Sequence, residues 1–501
     1  MSERQRTSIM AVIDRQLGRF TMYRLVTVVL LALAAVAVVQ SALGVLDSSV
    51  FGVDALLVTL AVMVVASVVA NVLFGRSVGA HPHLESSVVT ALILWFLFWP
   101  STDVEQLAWL AAVAALAQAS KYAFAWRGRH VVNPAAAGVV LALALGWATD
   151  WPLPFTGWWV ASESLFWFVV AGAVIVLFRT RRLVMGAIFA LVAAAITIWW
   201  QLDTGLDLGD AVRFTAYSTP IVFFGGFMLS EPLTLPPRRN QQWAVAALAG
   251  VLFTWPLLTS LLFGEPWTVE PFTSTYELTL VVTGLVALVL RQGSRSLVLR
   301  ERRSQGGDVV EYVFDADRPL DFSPGQYVEV DVPHRADTRG RRRMFSVMSA
   351  PGREVVLSTR HPDPGSSYKR ALAAMEPGDK VRVTAVHGDF VWPDSGPVLL
   401  VGAGIGVTPF LSQLATHPDR DVVVVLGERE DQPYVAELEA TGARVVRLPV
   451  EQVDGATIAE HVPDLAERTA FVSGRPDFVD SVAGDLRRRA KRVKRDAFLG
   501  Y

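Results

Sequence analysis

The feature that most constrains this chain is an abrupt change of text near residue 291. Long apolar runs fill residues 24–291; short alternating segments with Gly/Pro turns and mixed charge follow. Ten runs meet or approach the ~20 residues needed to cross ~30 Å of hydrocarbon. They are 24–44, 55–74, 84–100, 105–124, 134–151, 160–178, 183–201, 214–230, 242–263 and 275–291. A hydrophobic fraction of 52% with only 18% charged residues fits a half embedded in lipid. The first 23 residues are polar and the next run is long enough to span, so no cleavable signal peptide is expected.

Loop charge orients the ten runs. With the N-terminus inside, seventeen Lys and Arg fall on the cytoplasmic side and only Arg213 falls opposite. The positive-inside rule then places both termini, and everything after residue 291, in the cytoplasm of a cell-membrane protein. The third and eighth runs, 84–100 and 214–230, are short. They carry Ser86 and Ser87, and Pro220 with Gly225 and Gly226. Matched interruptions in two halves of five point to an inverted repeat.

Composition also excludes. With 45 Lys+Arg against 47 Asp+Glu there is no basic excess for a nucleic acid to recognise. Cysteine is absent, which rules out disulfides, thiolate-held iron–sulfur clusters and a Cys nucleophile. No metal site is expected. Any redox chemistry must use organic cofactors or non-Cys ligands.

Two polar stretches stand out in the apolar half. KYAFAWRGRHVVNPAAAG, from Lys121, ends a basic loop at Asn133-Pro134, a helix start that favours an anion. FFGGFMLSEPLTLPPRR, from Phe223, puts Glu231 and Thr234 at a membrane edge. The Asn133-Pro134-Ala135 start, the run Met228 to Thr234 and the stretch LESSVVTALILWFLF resemble, in order, the D subunit of Rnf electron-transport complexes. They also resemble the B subunit of the sodium-pumping NADH:quinone oxidoreductase. The resemblance implies a ten-span bundle holding a flavin, with Lys121, Asn133, Glu231 and Thr234 as candidate contacts. The family's Ser-Gly-Ala-Thr motif for esterified FMN is missing: the matching loop reads LGWATDWPLPFTGWW, with Thr149 and Thr156 but no Ser-Gly-Ala. A noncovalent FMN or riboflavin, or a quinone, is therefore expected.

The second half carries denser signals. Arg343-Met-Phe-Ser-Val-Met-Ser349 follows alternating strand text. The pattern Arg-x-aromatic-Ser-x-x-Ser resembles the FAD signature of the ferredoxin–NADP reductase family, which implies that Arg343 pairs with a pyrophosphate, Phe345 faces the isoalloxazine ring and Ser346 hydrogen-bonds near the flavin N5. Gly365-Ser366-Ser367 opens a short helix suited to phosphate. VLLVGAGIGVTPFLSQLA reads as strand, Gly loop and helix, with Gly402, Gly404, Gly406, Thr408 and Pro409. These segments resemble the ferredoxin–NADP reductase family, which implies FAD on a β-barrel and NAD(P)H on an α/β domain. The resemblance extends to Arg429 near the adenosine ribose, to Ser473-Gly474-Arg475 in place of a Cys-Gly motif near the hydride path, and to an aromatic tail at Phe498 or Tyr501 over the flavin ring. It does not separate NADH from NADPH.

The expected architecture is thus a cytoplasmic segment (1–23), a membrane all-α bundle (24–295), a β-barrel FAD domain (296–396) and an α/β nucleotide-binding domain (397–501). The expected activity is a membrane oxidoreductase that passes electrons from NAD(P)H through FAD to a flavin in the bundle. A quinone or an extracytoplasmic acceptor would receive them. A haem-containing transmembrane reductase is disfavoured because none of the eight His lies in a predicted span. A transporter regulated by a redox domain would show substrate flux without NAD(P)H oxidation.

Overall fold

A computed structural model describes residues 22–501 except 81, 127–128, 150–155, 271, 273–275, 291–293, 338–339, 364, 429–431 and 499–501. The chain divides into two compact units, Phe20–Arg291 and Gln292–Tyr501.

The first unit is helical: α1 (Met22–Ala42), α2 (Val53–Ser77), α3 (Leu84–Leu97), α4 (Val104–Ala123), α5 (Pro134–Thr149), α6 (Phe166–Arg179), α7 (Leu183–Asp203), α8 (Leu208–Ser218), α9 (Arg239–Phe253), α10 (Trp255–Phe263) and α11 (Tyr276–Leu290). By length and composition α1, α2 and α7 suffice to cross a membrane. A fourth crossing is added if α9 and α10, bent by 66° at their junction, count as one. The chain therefore has a membrane-associated part.

The helices revise three expectations. The run 214–230 is not one helix. α8 starts at Leu208, where the Asp207 side chain accepts from Asp210 N, and ends at Ser218. Thr219 is extended (φ −118, ψ 142), as a residue before Pro220 tends to be. The chain resumes helically at Ile221–Phe223 and passes into a π-helical turn, Phe224–Met228. The run 84–100, by contrast, is an unbroken fourteen-residue helix. Ser86 and Ser87 sit in its first turn, where Ser86 N donates to His83 Nδ1 and Ser87 Oγ to His83 O. Of these two runs only the eighth is interrupted, so the matched pair of interruptions is absent. The run 242–263 bends because Pro256 near the start of α10 cannot continue α9.

The second unit contains two sheets. The first has six antiparallel strands: β1 (Arg295–Ser304), β2 (Val309–Leu320), β3 (Tyr327–Asp331), β4 (Arg342–Ser346), β5 (Gly352–Arg360) and β6 (Lys380–His387), in the order β4-β3-β6-β1-β2-β5. The outermost strands, β4 and β5, follow one another in the chain. Met348 N donates to Val356 O at 2.9 Å, which curls the sheet toward closure. Its core holds Leu299, Phe314, Val328, Leu357 and Tyr368. Helix α12 (Ser367–Ala373) lies between β5 and β6 in sequence.

The second sheet is wholly parallel: β7 (Val398–Ala403), β8 (Val422–Glu428), β9 (Arg444–Pro449), β10 (Thr469–Gly474) and β11 (Arg492–Ala497), in the order β9-β8-β7-β10-β11. Helices α13 (Thr408–Thr416), α14 (Val435–Glu439), α15 (Gly455–His461) and α16 (Pro476–Leu486) connect its strands. The apolar run Val422–Leu426 is buried throughout, as a strand covered on both faces must be. The chain leaves β7 toward β8 and returns on its other side as β10. The C-terminal ends of β7 and β10 therefore flank the switch point where doubly wound sheets hold ligands. One apolar cluster joins the two sheets, with Met348, Val356 and Phe390 packed with Val407, Phe410 and Phe471.

Candidate functional site

β7 ends at Ala403, and residues 404–407 form a 3-10 turn leading into α13. Gly404 has φ +58, a conformation glycine adopts without strain. Gly406 is required by space: a Cβ there would lie 2.6 Å from Gly474 Cα and 2.7 Å from Ser473 O. Gly402 at the end of β7 pairs in register with Ser473 on β10. Thr408 and Pro409 are buried at the start of α13. Five of the expected nucleotide contacts, Gly402, Gly404, Gly406, Ser473 and Gly474, thus converge at the switch point. Arg475 is exposed, with Nη2 donating to Asp477 Oδ2 at 2.9 Å.

Ser473 is fully buried, and its Oγ has no hydrogen-bond partner among the described residues. Across the strand pair its register partner is Asp496, whose Oδ2 is likewise buried without one. Burial pushes the Asp496 carboxyl up from its ordinary 3.8 to about 7. Phe498 is fixed beside them by its N–H, which donates to Gly474 O at 2.8 Å. Buried polar atoms left without partners are costly, and together they mark a place where a ligand supplies what the chain does not. Asp496 escapes a motif search because it meets Ser473 only through strand register.

On β4, Arg343 and Phe345 alternate onto one face, and both meet Tyr368. The guanidinium carbon lies 5.0 Å from the Tyr368 ring, and the Phe345 ring 6.1 Å from it. Tyr368, another residue the motifs miss, is anchored by its hydroxyl, which donates to Val330 O at 3.1 Å. Burial raises its phenol well above the ordinary value. Arg343 Nη1 donates to Gly340 O. Ser346 is buried on the opposite face of β4. Three residues further on, Ser349 O accepts from Ser412 Oγ of α13 at 2.7 Å, tying the β4 end to the nucleotide loop. Arg343 and Phe345, both partly accessible, fit a flavin dinucleotide on this face, with Tyr368 behind them in the core.

The Gly365-Ser366-Ser367 turn is used internally. Ser366 caps α12 by accepting from Lys369 N, while Ser367 N donates to Asp337 Oδ2 and Ser367 Oγ accepts from Asp337 N. Arg429 and Tyr501 lie outside the described residues.

In the helical unit, Asn133 Oδ1 accepts from Ala135 N and Ala136 N, capping α5. Its Nδ2 donates to Glu231 Oε2 at 3.1 Å, and His130 Nε2 donates to Glu231 Oε1 at 2.5 Å. Thr234 Oγ1 donates to Glu231 O. The anion expected at this helix start is thus the chain's own Glu231. Lys121 lies within electrostatic reach of Glu231, and its Nζ donates to Ser86 O and Oγ on α3. Asn133, Glu231 and Thr234 are thus joined by hydrogen bonds among themselves.

No family model matches the chain. An NADPH oxidoreductase of Mycobacterium tuberculosis is 31% identical over 176 residues, 31% of this chain and 46% of that protein. The reductase subunit of an aromatic O-demethylase from Amycolatopsis is 30% identical over 210 residues, 36% of this chain and 62% of its own length. The chain thus spans about half the length of these curated relatives. Among solved structures, a cytochrome P450 reductase from Amycolatopsis covers 41% of this chain and 69% of its own, at 24% identity and a TM-score of 0.36. The sequence relatives support a reductase-type FAD/NAD(P)-binding module in this chain.

Proposed function

We propose that this chain is a membrane flavoprotein oxidoreductase. It takes electrons from NAD(P)H on the cytoplasmic side and delivers them to a quinone or an extracytoplasmic acceptor. The observation that carries the reading is the convergence of the glycine loop, Ser473 and Asp496 at the switch point, with the Arg343–Tyr368–Phe345 face on the adjoining sheet. FAD, when bound, accepts the two electrons of a hydride and passes them on singly. Arg343 would neutralise its pyrophosphate and Phe345 would offer it an apolar face, with Tyr368 backing both from the core. The glycine loop lets the nucleotide backbone approach closely, and Phe498 shields the reacting faces from water.

The rest of the reading rests on the apolar half. The seventeen-to-one charge bias supports cytoplasmic termini, and three to four helices of spanning length support a membrane location. A noncovalent FMN or riboflavin in the helical unit is supported by the resemblance of its ordered motifs alone.

The test is a detergent-purified protein, its absorbance spectrum and a count of acid-released flavins. Two flavins, no Soret band and NAD(P)H oxidation support the proposal. A Soret band or absence of FAD overturns it, and FAD without a second flavin removes the flavin from the helical unit. Gly404→Val should keep FAD yet lose NAD(P)H oxidation; normal turnover in that variant would refute the placement of the nicotinamide site.

A further inference from the structure

The Gly404 turn carries a contact that the proposed activity does not use. Gln432, between β8 and α14, reaches back to it: Gly404 N donates to Gln432 Oε1 at 2.8 Å, and Gln432 Nε2 donates to Gly404 O at 3.1 Å. The same Nε2 donates to Pro433 O at 3.1 Å. One primary carboxamide thus satisfies both backbone groups of the first residue beyond β7, at the switch point. Its placement is over-determined. Tyr434, two residues on, holds a left-handed φ of +66, strained for a bulky side chain, and is buried with its hydroxyl donating to Ser358 Oγ at 2.6 Å. Pro433 restricts Gln432 itself to extended backbone.

A carboxamide offers one acceptor oxygen and an NH2 donor in one plane. The nicotinamide ring of NAD(P)H carries the same group. Gly404 lies two residues before Gly406, where a Cβ would come within 2.6 Å of Gly474 Cα. Gly474 in turn follows Ser473 and accepts from Phe498 N, so the Gly404 pair belongs to the same loop cluster as the proposed nucleotide site. We propose that the Gln432 carboxamide stands in for the nicotinamide carboxamide at Gly404, so that it acts as a latch the nucleotide must displace. The latch fills the backbone pair when no nucleotide is bound, and its closed population lowers apparent affinity in proportion.

This inference rests on the nucleotide site proposed above, and the test separates the two. The full-length protein is compared with Gln432→Ala and with Gln432→Met, which keeps the bulk but not the amide; the FAD spectrum reports folding in each. Both variants should retain FAD, lower the KM for NAD(P)H about three- to tenfold, and tighten NAD(P)+ binding in calorimetric titration by a similar factor. ADP-ribose, which lacks nicotinamide, should bind all three proteins alike. An unchanged or raised KM overturns the latch. A parallel tightening of ADP-ribose also overturns it, because the adenine N1/N6 edge would then be the competitor. If the wild-type protein holds FAD but neither binds nor oxidises NAD(P)H, the nucleotide site fails and the latch fails with it.

Discussion

Two polar clusters, one in each unit, treat their buried groups in opposite ways. In the C-terminal unit Ser473 Oγ and Asp496 Oδ2, on paired residues of neighbouring strands, are buried without partners among the described residues, beside a glycine loop. In the helical unit each Glu231 carboxylate oxygen has a partner, His130 on one and Asn133 on the other, and Asn133 in turn caps α5. The first pattern leaves work for a ligand; the second stabilises a helix start within an apolar bundle. Sites of similar polarity can therefore differ in kind, and the difference lies in which atoms are left over.

The largest effect should come from removing the cation on β4. Arg343→Ala should lose most bound FAD, read as the flavin released by acid per polypeptide, while far-UV circular dichroism stays near wild type. Retention of full FAD would show that the β4 face is structural and would break the contrast at its stronger end.

At the other end, Glu231→Ala strips His130 and Asn133 of a shared partner. Taking one member from such a buried set costs about 3 kcal/mol. The helical unit should unfold at lower temperature in detergent, followed by tryptophan fluorescence, while NAD(P)H-driven ferricyanide reduction is unaffected. Loss of a flavin without loss of stability would instead make Glu231 a ligand.

Asp496 gives a pH signature. Its folded pKa, raised to about 7 by burial, exceeds its unfolded value, so the folded state binds the extra proton between those two values. The stability it supports is therefore present in acid and is lost as pH rises toward 7. Asp496→Asn should flatten that fall by roughly 1–2 kcal/mol, after allowance for the residue's partial exposure. Thermal unfolding at pH 5 and pH 8 measures it; an unchanged slope would mean that Asp496 is ionised in the folded protein.

How much of this was legible in the sequence depends on whether the constraint was local. The glycine loop reads directly because Gly406 has no room for a Cβ, and the β4 pattern reads because Arg343 and Phe345 alternate on one face. The Asp496–Ser473 pair does not read, since only strand register joins residues 473 and 496. Nor does His130–Glu231, separated by 101 positions. The start of α8 was legible in principle: Asp207 and Asp210 are a cap and a first-turn acid, but they look like outer-loop charge. Pro220 signalled a break correctly, and what it breaks became clear only once α8 reached back to Leu208.

The smallest effect tests the exception to the contrast. Gln118 on α4 is fully buried, and neither its Oε1 nor its Nε2 has a partner among the described residues. Ser67 on α2, which packs against α4, is also buried with its Oγ unpartnered. If these atoms are only a cost to the bundle, an apolar replacement of similar size relieves it, and an unpaired amide in such surroundings costs about 1–3 kcal/mol. Part of that gain is lost to imperfect packing of a branched side chain. Gln118→Leu should then raise the unfolding temperature of the helical unit slightly and leave its flavin content alone. A fall in flavin content would place a ligand between α2 and α4, and the helical unit would hold its cofactor away from Asn133 and Glu231.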